Sequence, residues 1–423
     1  MARSSVQVPE AGAKDRRRCR IAATKFGQPW PVDILMLSDV YFPRVNGVSS
    51  SIRSFAHELV RRGHGVTLVA PAYGETAPAE PFELIRLPGR PVPFDPEDRL
   101  VGRAAVRTAA AALARRRWDV VHVHTPFRAH ALGRRVARRT GRPLVASYHT
   151  WFEQYARHYL PWLPDRLLRA GARALSRRHC RALDHLVVPS REMAGVLAGY
   201  GIATPVTVLP TGLDLSEFSG GDGAAFRARH GIAADRPVLV TVSRLAAEKN
   251  IGFLLEVTRR LRDAHPDLLL LVAGEGPDAR RLQQQAAQPG LAGHVRFFGN
   301  LDRRGELLDC YRAGDVFVFA SPTETQGLVL IEASALGVPV VSTAVMGTAT
   351  VLADARGAVV APPDLDGFAA AVDGLLRDPS RRAALAAAGP QDAARWSAPA
   401  LARRLEALYQ DLADAVPAPR ATA

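Results

Sequence analysis

An α/β fold of two doubly wound parallel sheets is what this sequence predicts, and three observations carry it. Apolar runs of strand length alternate with helix-period segments along nearly the whole chain. The series occurs twice, separated by a stretch richer in Gly, Ala and polar residues, Thr211–Arg236. A chain of 423 residues is also long enough for two full cores. Two such halves place a ligand in the cleft beyond the C-terminal ends of their strands.

The first half opens on Asp33–Ser38 (DILMLS), an apolar strand, followed by the loop Asp39–Gly47 and a helix over Val48–Arg62. Gly65–Pro71 and Glu83–Leu87 read as strands, Arg103–Arg117 as a helix. Then come strand Asp119–His124, helix Ala129–Arg139 and strand Pro143–His149. Helical segments fill Phe152–Leu183, with a break at Pro161-Trp162-Leu163-Pro164. Strand His185–Pro189, helix Arg191–Tyr200 and strand Val206–Leu209 complete the half, and Thr211–Arg236 is expected to be a link. The second half predicts strands at Pro237–Ser243, Leu268–Ala273, Val295–Phe298, Asp315–Ala320, Pro339–Thr343 and Ala358–Ala361. A last helix is expected over Gln391–Asp414, after Gly389-Pro390.

Composition narrows the class. Hydrophobic residues make up 48% of the chain, ordinary for a globular protein. The net charge of +14 is carried by Arg, with Lys only at positions 14, 25 and 249, and implies attraction to anionic surfaces or phosphate-bearing ligands. Cys19, Cys180 and Cys310 are scattered, with neither metal spacing nor a disulfide framework, which suits a reducing compartment. Leu268–Ala273 is far too short to span a bilayer, and residues 1–30 lack the apolar core of a signal peptide. Those first residues read as a disordered basic tail or, alternatively, as an over-called start site.

The densest chemistry lies in Ser321–Val341, SPTETQGLVLIEASALGVPVV. Glu324 sits in the loop after the strand Asp315–Ala320. Glu332 sits inside the following helix, on the face of Leu328, Ile331 and Ala335. That helix is apolar nearly all round and is expected to be buried. A buried carboxylate without partners is costly, so Glu332 needs donors. A sugar diol supplies two at once. The free amides at Gly327-Leu328 offer an anion site at the helix N-terminus. The plainer alternative is a loop Glu and a core Glu paired with an Arg.

Two cations precede this stretch. Arg244 ends a strand and Lys249 starts the next helix, in SRLAAEKN. A cation at a helix N-terminus opposes the dipole unless a phosphate sits there too. The alternative for Lys249 is a surface pair with Glu248 or Glu256. Gly47, in Asn46-Gly47-Val48, lets backbone approach a ligand; otherwise it is a tight connection. Gly274-Glu275-Gly276-Pro277 lacks the third glycine of a dinucleotide fingerprint.

His122 and His124 share a face of one strand, and His149 ends the next. His124 and His149 are candidates for binding a sugar or a leaving phosphate, while His122 reads as a core residue. No third ligand suggests a metal. Asp364-Leu365-Asp366 is better explained as a helix cap. Arg166, Arg169, Arg173 and Arg177 recur at near-helical spacing beside Tyr159 and Trp162, which suits an anionic membrane surface or, equally, a solvated face. Nothing resembles a base-reading module, so nucleic acid is not an expected partner.

Taken together, Glu324 and Glu332 with seven residues between them, Arg244 with Lys249, the Gly47 turn and His124 resemble retaining glycosyltransferases of the GT-B fold, glycosyltransferase family 4. The resemblance runs from about Asp33 to Leu412. It implies an N-terminal acceptor-binding domain over residues 31–210 and a C-terminal donor-binding domain over 211–390. Residues 391–423 would be a helix crossing back to the N-terminal domain, and a tail. By the resemblance, Glu324 holds hydroxyls of the donor sugar, Glu332 the donor ribose, and Arg244 and Lys249 the diphosphate. Gly47, Gly327 and Leu328 add backbone contacts, Asn300 lies near the nucleobase and His124 near the transferred sugar. The family's reaction keeps the anomeric configuration, with the leaving diphosphate accepting the acceptor's proton, and no metal or other cofactor is expected.

The chain departs from the family's common pattern in two places. Thr325-Gln326 stands where many members carry Gly-Phe, and Thr211 where they often carry Asn. The ETQGL form, with YFPRVNGVSSSI and SYHTWFEQY, is similar to enzymes that glycosylate diacylglycerol or other membrane lipids. The expectation is therefore a hexosyltransferase moving glucose or mannose from a nucleotide-diphospho-sugar to a lipid or lipid-linked glycan. It would lie in the cytoplasm, peripheral on the inner membrane face, docked through Tyr159, Trp162, Arg166, Arg169 and Arg173. A nucleotide-sugar epimerase of the same architecture and a non-catalytic nucleotide-sugar binder are the rival functions.

Overall fold

The computed structural model describes residues 30–44, 46–74, 79–92, 95–149, 164–303 and 305–415. The expected basic tail, Tyr159 and Trp162 lie outside them. The chain divides into two compact units, residues 1–146, 182–184 and 403–423 in one and 147–181 and 185–402 in the other.

Among the described residues nine strands precede residue 210: β1 (Asp33–Leu37), β2 (Gly65–Pro71), β3 (Glu83–Leu87), β4 (Gly89–Val92), β5 (Asp95–Val101), β6 (Val120–Val123), β7 (Leu144–Ser147), β8 (His185–Val188) and β9 (Val206–Val208). Seven form a sheet in the order β3-β2-β1-β6-β7-β8-β9. The remaining two, β4 and β5, make an antiparallel hairpin that the sequence pattern did not announce. Pro91 and Pro96 within so short a run mask any alternation.

Six further strands follow among the described residues: β10 (Val238–Val242), β11 (Leu269–Ala273), β12 (Val295–Gly299), β13 (Val316–Phe319), β14 (Val340–Ser342) and β15 (Ala358–Val360). Their order is β12-β11-β10-β13-β14-β15, and every pairing is parallel. That is the doubly wound arrangement, with its reversal between β10 and β13. The strands read as unbroken apolar runs because helices cover both faces. Side chains divide between the faces by alternation. Val238, Val240, Leu269, Leu271, Phe317 and Phe319 enter one core, whereas Leu239, Leu268, Leu270, Val272, Val316 and Val318 enter the other. Each fully buried Leu, Val or Phe contributes roughly 1.5–3 kcal/mol.

The structure corrects two expectations. The stretch Thr211–Arg236 is not a bare link. It carries a 3-10 turn, Leu215–Phe218, and a helix, Gly223–Arg229. Leu213, Phe218, Phe226 and Ile232 are all buried in the first of the two cores. Four large apolar residues spread through a small-residue background escape a periodicity count, yet suffice to dock the segment. Nor does the last helix begin after Gly389-Pro390. A helix over Pro379–Ala394 runs straight through Pro390, and a second spans Ala398–Ala415. Gly389 is a contact point instead: a Cβ there would lie 2.7 Å from the Ser334 carbonyl oxygen. From Arg403 onward the final helix belongs to the first compact unit. There the Tyr409 hydroxyl shares a hydrogen bond with His122 Nδ1, and buried Glu406 accepts from Arg62 Nε at 2.7 Å and pairs with His64 Nε2 at 2.9 Å.

Candidate functional site

The reversal between β10 and β13 brings the loops after both strands together at their C-terminal ends. After β10 the chain passes Arg244, then a 3-10 turn Ala247–Lys249. Lys249 therefore closes a turn ahead of the helix Ile251–Leu261 rather than starting it. Its neighbours are tied to the β13 loop: Ser321 Oγ donates to the Glu248 carbonyl at 2.8 Å, and Asn250 Nδ2 to the Ala320 carbonyl at 3.2 Å. This bracket aims Lys249 at Glu324, and its ammonium donates to Glu324 Oε1. The partner is thus neither Glu248 nor Glu256. Arg244 is exposed and forms no ion pair among the described residues.

The loop carrying Glu324 is fixed from several sides. The Gly347 amide donates to the Glu324 carbonyl at 2.7 Å. Gln326, 6% exposed, clamps the backbone of Thr211: its Oε1 accepts from the Thr211 amide at 2.7 Å and its Nε2 donates to the Thr211 carbonyl at 2.8 Å. The two positions that depart from the common family pattern touch each other. Gly327 follows with φ +82°, a left-handed cap for the helix Leu328–Ala335 that an L-side chain resists. Its amide and that of Leu328 stand at the helix N-terminus, where orphan donors favour an anion.

Inside that helix Glu332 is 4% exposed. Two side chains donate to it: Arg303 Nη2 reaches Oε1 at 2.9 Å and the Tyr311 hydroxyl reaches Oε2 at 2.8 Å. The core-Glu-with-Arg alternative therefore describes its protein contacts. Each carboxylate oxygen keeps further acceptor capacity. Asn300, exposed at the end of β12, donates through Nδ2 to Glu275 at 3.0 Å. Glu275 lies in the glycine turn that lacks a dinucleotide fingerprint, and its carbonyl accepts from the Leu245 amide at 2.8 Å.

In the first compact unit, Gly47 is the first residue of the helix Gly47–Arg61, whose cap Asn46 accepts from the Ser49 amide at 2.8 Å. A Cβ on Gly47 would meet nothing within 4 Å, so the space before it is open. His124 follows β6, is 2% exposed, and its ring centre lies 4.2 Å from that of His122, the planes tilted by 30°. Asp39, which no sequence motif singled out, fixes the loop beside His124. Its carboxylate accepts from Thr125 Oγ1 at 2.7 Å and from the Arg128 and Ala129 amides at 2.9 and 3.0 Å. Burial pushes its carboxyl pKa up, against the pull of those donors. A signal for it existed, an acidic residue directly after an apolar strand, but its partners lie 86–90 residues away. His149, which falls in the second compact unit, follows β7, half-buried, and burial pushes its imidazole down to about 4, so it is neutral at pH 7.

Arg166, Arg169 and Arg173 lie exposed on the helix Asp165–Cys180, beside exposed Leu167 and Leu175. Asp364 caps its helix by accepting from the Gly367 amide at 2.8 Å, as expected. Among the described residues no group of His, Cys, Asp or Glu is placed to hold a metal ion, and no helix is long and apolar enough to cross a membrane.

Residues 222–392 match the model for glycosyl transferases group 1, and residues 45–217 that for glycosyltransferase family 4. With the two doubly wound sheets, these matches place the chain in this family: it is a GT-B glycosyltransferase. It is 32% identical to a GDP-mannose-dependent alpha-(1-6)-phosphatidylinositol monomannoside mannosyltransferase of Mycolicibacterium smegmatis, over 84% of this chain and 92% of that one. It is 30% identical to an alpha-monoglucosyldiacylglycerol synthase of Streptococcus pneumoniae, over 73% of this chain and 70% of that one. Sucrose-phosphate synthase from Thermosynechococcus elongatus shares the fold, with a TM-score of 0.73 at 21% identity over 90% of this chain and 100% of that one.

Proposed function

We propose that this chain transfers glucose or mannose from a nucleotide-diphospho-sugar to a membrane lipid or lipid-linked glycan, with retention and without a metal ion or other cofactor. The observation that carries the reading is the Lys249–Glu324 pair, which joins the loop after β10, where Arg244 also lies, to the loop after β13. The loop after β10 carries two cations suited to a diphosphate, and the loop after β13 a carboxylate suited to sugar hydroxyls and a helix N-terminus capped by Gly327. Two relatives, named for glucosyl and mannosyl transfer onto lipids, support the acceptor class.

In this reading Arg244 and Lys249 face the two phosphates, with the Gly327 and Leu328 amides adding donors. Glu324 orients the sugar and Glu332 accepts from the ribose. Asn300 borders the nucleobase; Gly47, His124 and His149 serve the sugar and phosphate from their own loops. The bond from the anomeric carbon to the phosphate oxygen breaks, and the acceptor oxygen bonds to the same face. The acceptor's proton passes to the departing phosphate oxygen. Fixed cations at that oxygen act where charge develops, and a single such donor is worth about 10²–10³ in rate. Tyr159, Trp162, Arg166, Arg169 and Arg173, with Leu167 and Leu175, would rest on the anionic inner face of the cytoplasmic membrane.

The test is to incubate purified protein with labelled UDP-glucose or GDP-mannose, with and without membrane lipid extract, in the presence of a chelator. Label entering lipid with the donor's anomeric configuration supports the proposal. Isomerised donor instead identifies an epimerase, and bound but unchanged donor a non-catalytic binder.

A further inference from the structure

Glu332 has two protein donors, and they come from different places. Tyr311, on the helix Glu306–Ala313, is fully buried. Burial and the adjacent carboxylate push its phenol pKa well above the ordinary value, so it stays a neutral donor. Arg303, on the segment after β12, has a side chain 56% exposed. Its guanidinium lies 5.5 Å from the centre of the Phe218 ring, which is itself anchored in the core. The Arg303 tip is thus held from below by an aromatic face and in front by Oε1.

An ionised carboxylate accepts about four hydrogen bonds, two on each oxygen. One direction on each oxygen of Glu332 is taken, Oε1 by Arg303 and Oε2 by Tyr311. Resting on the reading of Glu332 as the ribose carboxylate, we propose that Arg303 and Tyr311 are positioning residues for ribose recognition. They fix Glu332 so that each oxygen presents one free acceptor direction to one of two vicinal hydroxyls. Arg303 also sets a positive charge 2.9 Å from this buried carboxylate. Arg suits this task because its planar fork holds both a ring face and an oxygen, which an ammonium does not.

Losing Arg303 should weaken recognition of the sugar hydroxyls more than recognition of the phosphates. Titration calorimetry on the full chain reads this with UDP, GDP and their 2′-deoxy counterparts. The variants are Arg303→Met, which keeps an unbranched side chain but removes the guanidinium, Arg303→Lys and Glu332→Gln. Equal thermal midpoints without nucleotide establish that each variant is folded.

The expected result is that wild type prefers the ribose form and that Arg303→Met reduces this preference roughly five- to tenfold. Arg303→Lys restores part of it. Should Glu332→Gln abolish the preference while Arg303→Met keeps it, or weakens both sugar forms equally, the positioning role is overturned and the ribose reading stands. If wild type binds neither nucleotide, or shows no preference for ribose, the ribose reading fails and the inference with it.

Discussion

Lys249 is the one Lys of the chain beyond position 25, and its ammonium meets Glu324 directly. Under the proposed function the same compact point charge also meets the donor's diphosphate. Lys249→Ala and Glu324→Gln should each lower transfer by about 10²–10³-fold. Both side chains are largely but not wholly buried, so the thermal midpoint should stay near that of wild type. Transfer at wild-type rates in both variants would contradict the site assignment. His149 makes a second prediction. Its folded imidazole titrates near 4, below the ordinary 6.5, so the unfolded chain binds more protons between those values. Its contribution to stability is present above pH 6.5 and is lost as pH falls through about 4. The thermal midpoint should fall from pH 7.5 to pH 5, and less so in His149→Gln. An identical fall in both proteins would remove His149 as the cause.

At the scale of elements, every predicted strand of the second sheet is present to within two residues, because buried parallel strands are continuous apolar runs. Glu324 and the loop before Gly327 were legible for the same reason: they interrupt such a run. What pairs with what was not legible. Glu332 needed donors, but Arg303 and Tyr311 are 29 and 21 residues away and declare themselves only once the sheet is wound. Asp39 and the Gln326–Thr211 clamp are the same case. The segment Thr211–Arg236 reads as a link because its core residues, Leu213, Phe218, Phe226 and Ile232, are sparse. Phe226 is fully buried, 5.2 Å from the Phe298 ring. Phe226→Ala should therefore cost about 3–5 kcal/mol in denaturant titration, where a linker residue would cost almost nothing. A change below about 0.5 kcal/mol would restore the link description.

For the whole molecule, charge dominates the choice of surface. A net +14 favours anionic partners, and the helix Asp165–Cys180 offers exposed Leu167 and Leu175 beside Arg166, Arg169 and Arg173. Binding to vesicles containing phosphatidylglycerol should exceed binding to neutral vesicles and weaken as salt rises, since the Debye length shrinks from about 10 Å at 0.1 M to about 3 Å at 1 M. Arg166→Glu with Arg173→Glu should weaken vesicle binding while leaving nucleotide affinity intact. Unchanged flotation would move the membrane contact elsewhere. The measurement closest to the central claim is a crystal structure of the chain with UDP or GDP bound. The account predicts the diphosphate within hydrogen-bond reach of Arg244 and Lys249, and the ribose hydroxyls on Glu332. A nucleotide seated away from all three would contradict it.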